Sequence, residues 1–322
     1  LWASFQVAMA GWDRISQILT LNTDLQQHVA GPLSDADAVI EFKDVHFSYS
    51  AEHEILHHIS FRLEKGKTYA LIGPTGGGKT TTASLIARLY DPTKGTVFLN
   101  GRDIKTYTAE ERTQRIGFIL QEPFLFSGTV RENIIYGNER YKDFSNAALE
   151  EVIVNAKLEA LLSLFESGLD TAVLSGSDSI SLGQKQLIAF MRAVLRNPDV
   201  LILDEATANI DTITEKLLGT ILEQLSKDTV LVIIAHRLNT IENADEIFFV
   251  NSGEVGRAGT LQHAMDMLLT NKRTCVPRIS RSLRVAACIS CPELSVAEIK
   301  RLTKSATSSC LSHAFRVNSL PM

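Results

Sequence analysis

Apolar residues fall along this chain in two rhythms. Largely apolar runs at residues 69–72, 116–120, 200–203 and 230–235 have the length and branched content of strands buried on both faces of a parallel sheet. Residues 39–42, 45–49 and 59–63 instead alternate, predicting short half-buried strands. Asn100-Gly101 after residues 97–99, and Ser252-Gly253 between 246–250 and 254–257, read as hairpin turns. Helical spacing covers residues 81–89, the stretch 129–168, and 184–196, which Asn197-Pro198 ends. Ala147, Val152, Leu158, Leu161 and Leu162 are the expected core of the middle stretch. Residues 175–181 form a polar loop, and Leu261, Ala264, Met265 and Leu268 predict one last amphipathic helix. Strands alternating with helices imply an α/β domain, a parallel sheet covered on both faces.

Before that domain, Phe5, Ala8, Trp12, Ile15 and Leu19 recur at three- and four-residue spacing. They predict a helix from residue 1 to about 30, ended by Gly31-Pro32, with an apolar stripe for a partner face. Such a helix can pack on its own domain or be the end of a longer one. Leu1, Trp2, Phe5 and Val7 favour the second reading, and Leu1 in place of Met suggests a chain that starts mid-protein.

The stretch with the clearest chemistry is Gly73-Pro74-Thr75-Gly76-Gly77-Gly78-Lys79-Thr80. It fits G-x-x-x-x-G-K-[ST], with an apolar strand before it and a helical run after it. Glycines let successive backbone N–H groups converge on one anion, and the helix that follows aims its positive end at the same point. Lys79 adds a full charge for the phosphates, and the Thr80 hydroxyl is placed to ligate Mg²⁺. A second acidic feature matches it. Asp204 and Glu205 close the apolar run that starts at Val200. Downstream of a phosphate loop, Asp204 is the expected Mg²⁺ carboxylate and Glu205 the base that orients the attacking water.

Taken in order, the phosphate loop, Gln121, Ile180-Ser181-Leu182-Gly183-Gln184, residues 200–205, Ala208-Asn209-Ile210-Asp211 and His236 resemble an ABC-transporter ATPase domain over about residues 38–270. The run from Leu125 to Ile134 and Ala235-His236-Arg237-Leu238 look like its exporter branch. The resemblance implies a P-loop ATPase of ABC type: a parallel-sheet core, an antiparallel β subdomain and an α-helical subdomain. It divides the chain into a membrane-helix remnant and linker at 1–33, an ATP-binding domain at 34–272 and a tail at 273–322.

The same resemblance implies roles for individual residues. Tyr49 would stack on adenine; its alternative is a core strand aromatic. Gly73, Pro74, Thr75, Gly76, Gly77, Gly78, Lys79, Thr80 and Thr81 would hold the phosphates of ATP. Thr80, Gln121 and Asp204 would surround Mg²⁺, and His236 would sense the γ-phosphate. Ser181, Gly183 and Gln184, at a helix expected to begin at Gln184–Lys185, would face the nucleotide of an opposing subunit, with Asp211 communicating across the pair. The implied partners are a membrane-spanning domain upstream and a second ATPase domain, identical or related, at the cytoplasmic face of the membrane. Two departures stand out. Leu182 replaces a glycine of the LSGGQ pattern, where a side chain would crowd the opposing subunit's nucleotide, and residues 173–178 lack the Gly-Glu-Arg-Gly pattern that precedes it in exporters.

Composition changes this picture little. The net charge of −5 does not favour nucleic acid, and there is no run of eighteen apolar residues. All four cysteines lie in the tail, where from Asn271 onward Lys and Arg outnumber Asp and Glu by nine to two. Cys288-Ile289-Ser290-Cys291 is a lone CxxC without a second pair, so a disordered extension is expected there rather than a zinc site. Two rival functions remain. A soluble ABC ATPase acting on DNA or ribosomes usually carries a coiled-coil insertion or a second cassette, which this sequence lacks. A non-hydrolysing regulatory subunit is supported by the altered signature and opposed by intact Lys79, Asp204 and Glu205.

Overall fold

The computed structural model describes residues 2–20, 25–35, 37–50, 52–174, 180–204, 212–225, 228–234, 244–259 and 263. Helix α1 (Trp2–Leu19) precedes strands β1 (Ile40–Ser50), β2 (His53–Leu63) and β3 (Thr68–Ile72), then helix α2 (Lys79–Ile86). Strands β4 (Lys94–Leu99) and β5 (Arg102–Asp103) lead to α3 (Ala109–Arg115) and β6 (Ile116–Ile119). A mainly helical stretch follows: β7 (Gly128–Thr129), α4 (Val130–Ile135), α5 (Asn146–Asn155), α6 (Glu159–Leu162) and β8 (Ala172–Val173). The order then runs α7 (Leu182–Val194), β9 (Val200–Asp204), α8 (Thr212–Leu225), β10 (Val230–Ile234), β11 (Glu246–Asn251) and β12 (Glu254–Arg257).

Two sheets carry the described fold. One is antiparallel, in the order β2-β1-β4-β5. The other runs β12-β11-β3-β10-β9-β6; all its neighbours are parallel except β12, which pairs antiparallel with β11 as the Ser252-Gly253 turn predicts. β9 and β10 are buried at every position, as their apolar runs require of strands covered on both faces. Alternating side chains of β1 and β2 meet the parallel sheet in one core. There the Phe42 and Phe61 rings stack at 4.5 Å, and Phe61 lies 5.2 Å from Phe248. The Tyr69 hydroxyl, buried in the same core, accepts the Glu64 N–H at 2.8 Å.

Several boundaries differ from the expectation. α1 ends at Leu19 rather than near residue 30. Residues 26–34 instead spend their backbone groups on the β5 region: His28 N donates to Lys105 O, Ser34 N to Gly101 O, and Leu33 bridges Arg102. Once those partners are taken, a helical ladder cannot form. The strands expected at 39–42 and 45–49 are one, β1 (Ile40–Ser50), because it absorbs the break in alternation as register shifts against β2. The stretch 129–168 is not one helix either. Gly137 and Lys157 adopt positive φ, separating α4, α5 and α6. Helix α3 escaped the sequence reading, although its capping box, Thr108 with Glu111, is a local signal. The expected last helix and the tail lie outside the described residues, His263 apart.

The stripe on α1 leaves Trp2, Phe5, Trp12, Ile15 and Leu19 exposed. Among the described residues no helix is long and apolar enough to cross a membrane.

Candidate functional site

Parallel pairing sends the ends of β3, β10, β9 and β6 to one edge of the sheet. Register places Ile234 beside both Leu71 and Asp204, and Leu203 beside Ile119. The loop after β3 and the carboxylate ending β9 are therefore two strand spacings apart, roughly 10 Å. Ligands of open α/β sheets gather at this carboxyl edge.

The phosphate loop is shaped by what lies behind it. Gly73 has φ +145°, and a Cβ there would sit 1.9 Å from the Val250 carbonyl oxygen of β11. A Cβ on Gly77 would meet the same oxygen at 2.6 Å. Both contacts are with backbone, which cannot step aside, so the loop lies flat on β11 only as glycine. Gly78 is the N-cap of α2 and offers no side-chain acceptor, which leaves the first-turn N–H groups to a ligand. Lys79 is 5% exposed, and its Nζ donates to the Gly73 and Pro74 carbonyls, each at 3.0 Å. A desolvated ammonium beside an uncapped helix N-terminus makes a receptor for a polyanion. These features fit the phosphates of a nucleotide.

Around this loop stand the other predicted residues. Thr80 is exposed on the first turn of α2, whereas Thr81 is buried and its hydroxyl lies 3.2 Å from the Tyr49 hydroxyl. Tyr49 is 54% exposed, so it is not the core aromatic of the alternative reading. Its ring is held edge-on by Phe47 and Tyr90, with centroids 4.7 and 5.0 Å away. Asp204 is buried at the end of β9 and Gln121 is exposed just past β6. A hydroxyl, an amide and a carboxylate are oxygen donors of the kind that a hard cation such as Mg²⁺ takes. Glu205, Asp211 and His236 lie outside the described residues.

The signature helix begins earlier than expected. α7 starts at Leu182, with Ser181 as N-cap. The Gln184 N–H donates to Ser181 Oγ at 3.1 Å, and the Ser181 N–H donates to Gln184 Oε1 at 3.0 Å. This capping box satisfies two end groups and stops the helix at Ser181. The Gln184 side chain is thus engaged within its own helix, and Leu182 is half-buried at its first position. Replacing Ser181 with alanine is expected to lower stability by about 1 kcal/mol, measured by denaturant unfolding.

Sequence reasoning missed Gln186. It is buried on α7 and its Nε2 donates to the Gln121 carbonyl at 3.0 Å, tying the signature helix to the loop after β6. A polar residue on the apolar face of α7 was the available signal. Beyond Gln121, Phe124, Phe126 and Tyr136 are exposed and line an apolar groove with Phe118 and Leu120. Arg192 closes its wall, donating to the Asn133 and Phe124 carbonyls at 2.7 and 3.1 Å. Burial, then the Arg196 charge, pull the Arg192 guanidinium down to about 10.

A family model described as ABC transporter matches residues 56–208. The chain is 41% identical over 256 residues to the uncharacterized ABC transporter ATP-binding protein YfiC of Bacillus subtilis (strain 168), covering 79% of this chain and 42% of that one. It is also 41% identical over 236 residues to multidrug resistance protein 1 of Entamoeba histolytica, covering 73% of this chain and 18% of that one. A solved bacterial Atm1-family ABC exporter with ATP bound superposes with a TM-score of 0.69 at 27% identity, over 87% of this chain and 49% of that one. The chain spans less than half the length of these relatives.

Proposed function

We propose that this chain is the ATPase domain of an ABC transporter, similar as it is to that family over residues 56–208, and that it binds and hydrolyses ATP to drive export across a membrane. The observation that carries the reading is the loop at 73–80, pressed against Val250 with Lys79 buried on its carbonyl groups. Tyr49 would stack on adenine, and the loop from Gly73 to Thr81, Lys79 included, would take the phosphates. Thr80, Gln121 and Asp204 would hold Mg²⁺, which when bound neutralises charge on the phosphoryl oxygens under attack. Glu205 would orient the attacking water and accept its proton, and His236 would contact the γ-phosphate. Ser181, Gly183, Gln184 and Asp211 would address the nucleotide of a second ATPase domain, identical or related. Hydrolysis would then require two such domains head to tail.

The likeness to an exporter reaches beyond the matched family residues, to 87% of the chain. That extent favours an exporter over a soluble ATPase acting on DNA or ribosomes. The groove lined by Phe124, Phe126 and Tyr136 would seat the membrane-spanning portion, since it follows Gln121 directly and keeps aromatic surface exposed. The domain would work at the cytoplasmic face of the membrane.

The test is Lys79→Ala. Removing the ammonium deletes charge-assisted hydrogen bonds to phosphate, and Mg-ATP affinity is expected to fall roughly 10- to 100-fold. Titration calorimetry on the purified chain reads this, with circular dichroism to show that the fold survives. Undiminished affinity would sink the proposal.

A further inference from the structure

We propose that Asp44, His46 and His58 form a binding site for one zinc-type divalent cation on the β1–β2 hairpin, built from residues that take no part in nucleotide binding. His46 Nε2 lies 3.1 Å from His58 Nδ1, and His58 Nδ1 lies 2.8 Å from Asp44 Oδ1. The third side of the triangle, His46 Nε2 to Asp44 Oδ1, is 3.6 Å. In a tetrahedral site with bonds of about 2.0–2.1 Å, neighbouring ligand atoms stand roughly 3.3 Å apart. The three atoms are therefore three corners of such a site, each edge within about half an ångström of its length.

The tautomer of His46 is right for a ligand. Its Nδ1 is 2.6 Å from Glu54 Oε1, and a carboxylate accepts hydrogen bonds, so Nδ1 carries the proton. In the neutral ring Nε2 then presents its lone pair to His58 and Asp44. A carboxylate behind the far ring nitrogen is the arrangement that orients metal-bound histidine. Burial holds the His46 ring in place, and Glu54 is itself held by His57 Nδ1 at 2.9 Å.

The hairpin is bent to bring these groups together. Val45 pairs with Ile59 and Phe47 with Leu56, so His46 alone opposes both His57 and His58. That is a β-bulge, which re-aims a side chain. Asp44 and His58 take left-handed backbone, with φ 46° and 48°, and Asp and His tolerate this better than most residues. Without a cation, the His58 Nδ1 proton must serve both Asp44 Oδ1 and His46 Nε2; a cation would replace it and serve both fully.

Ligand chemistry selects the ion. Two imidazoles and one carboxylate suit zinc and its neighbours, whereas Mg²⁺ prefers oxygen alone. Asp44 and His58 side chains are 69% and 77% exposed, which admits the ion and leaves the fourth position to water.

Equilibrium dialysis of the purified full chain against Zn²⁺ tests this. About one equivalent is expected to bind in excess Mg²⁺, and Co²⁺ in its place should show four-coordinate visible bands without thiolate charge transfer. His58→Ala, Asp44→Asn and Glu54→Gln should each weaken binding roughly 10- to 100-fold or more. A Cys288→Ser/Cys291→Ser chain should bind as the wild type does. The two ligands changed are exposed, and circular dichroism checks that their variants fold. The proposal is overturned if no Zn²⁺ binds, if His58→Ala and Asp44→Asn bind undiminished, or if the cysteine variant loses the ion.

Discussion

Glu205→Gln is expected to lower ATP turnover roughly 10²–10⁴-fold, the range that a positioned general base contributes. Glutamine keeps the volume and one carbonyl acceptor, so a water can still sit against it. What it loses is the capacity to take the proton as that water attacks. Nucleotide binding should be spared, because the proposed phosphate contacts are those of the loop and Lys79 rather than of this carboxylate. The variant should therefore bind Mg-ATP like the wild type yet turn it over far more slowly. If hydrolysis also reopens the paired domains, the variant in Mg-ATP should accumulate as a dimer by light scattering. Single-turnover phosphate release on both forms is the measurement. Equal rates would remove Glu205 from the mechanism and leave the regulatory-subunit reading standing.

Arg88→Ala is expected to cost about 3–5 kcal/mol of stability, the usual consequence of removing one partner of a buried pair. The Arg88 side chain is 1% exposed, and its Nε donates to Asp91 Oδ1 at 2.9 Å. Its two terminal nitrogens donate to the carbonyls of Ile104, Lys105 and Gln26. One guanidinium thus joins the end of α2, the turn after β5 and the segment leading in from α1. Alanine would strand the Gln26 carbonyl and the Asp91 charge at once, while the Ile104 and Lys105 carbonyls keep the Tyr107 and His28 N–H groups. Denaturant melts should show the loss, and Asp91→Ala should cost less because Asp91 is partly solvated. A change under 1 kcal/mol for Arg88→Ala would mean that water replaces the guanidinium freely.

The legibility of this protein divides by the range of the interactions involved. The phosphate loop could be read because every element of its chemistry is consecutive: glycines, lysine, threonine, an apolar strand before and a helix after. The doubly buried strands β9 and β10 were equally plain, since an apolar run states its own burial. Even the misplaced start of α7 was written locally, as Ser181 followed three residues later by Gln184. Other features depend on chain segments far apart in sequence. That α1 stops at Leu19 follows from hydrogen bonds between residues 26–34 and the β5 region, about seventy residues on. Why Gly73 and Gly77 must be glycine became visible only when Val250 was found behind them. Gln186, reaching the Gln121 carbonyl, and Arg88, reaching Gln26, belong to the same class. The β-bulge that turns His58 toward His46 does too. By itself the sequence determined the doubly buried strands and the glycine loop with its lysine, because hydrophobicity and glycine spacing act on near neighbours, whereas Ala147, expected in the core, is exposed. Which carbonyl backs a loop, and which imidazoles share a cation, was decided by tertiary structure alone, because such pairings exist only once distant strands come into register.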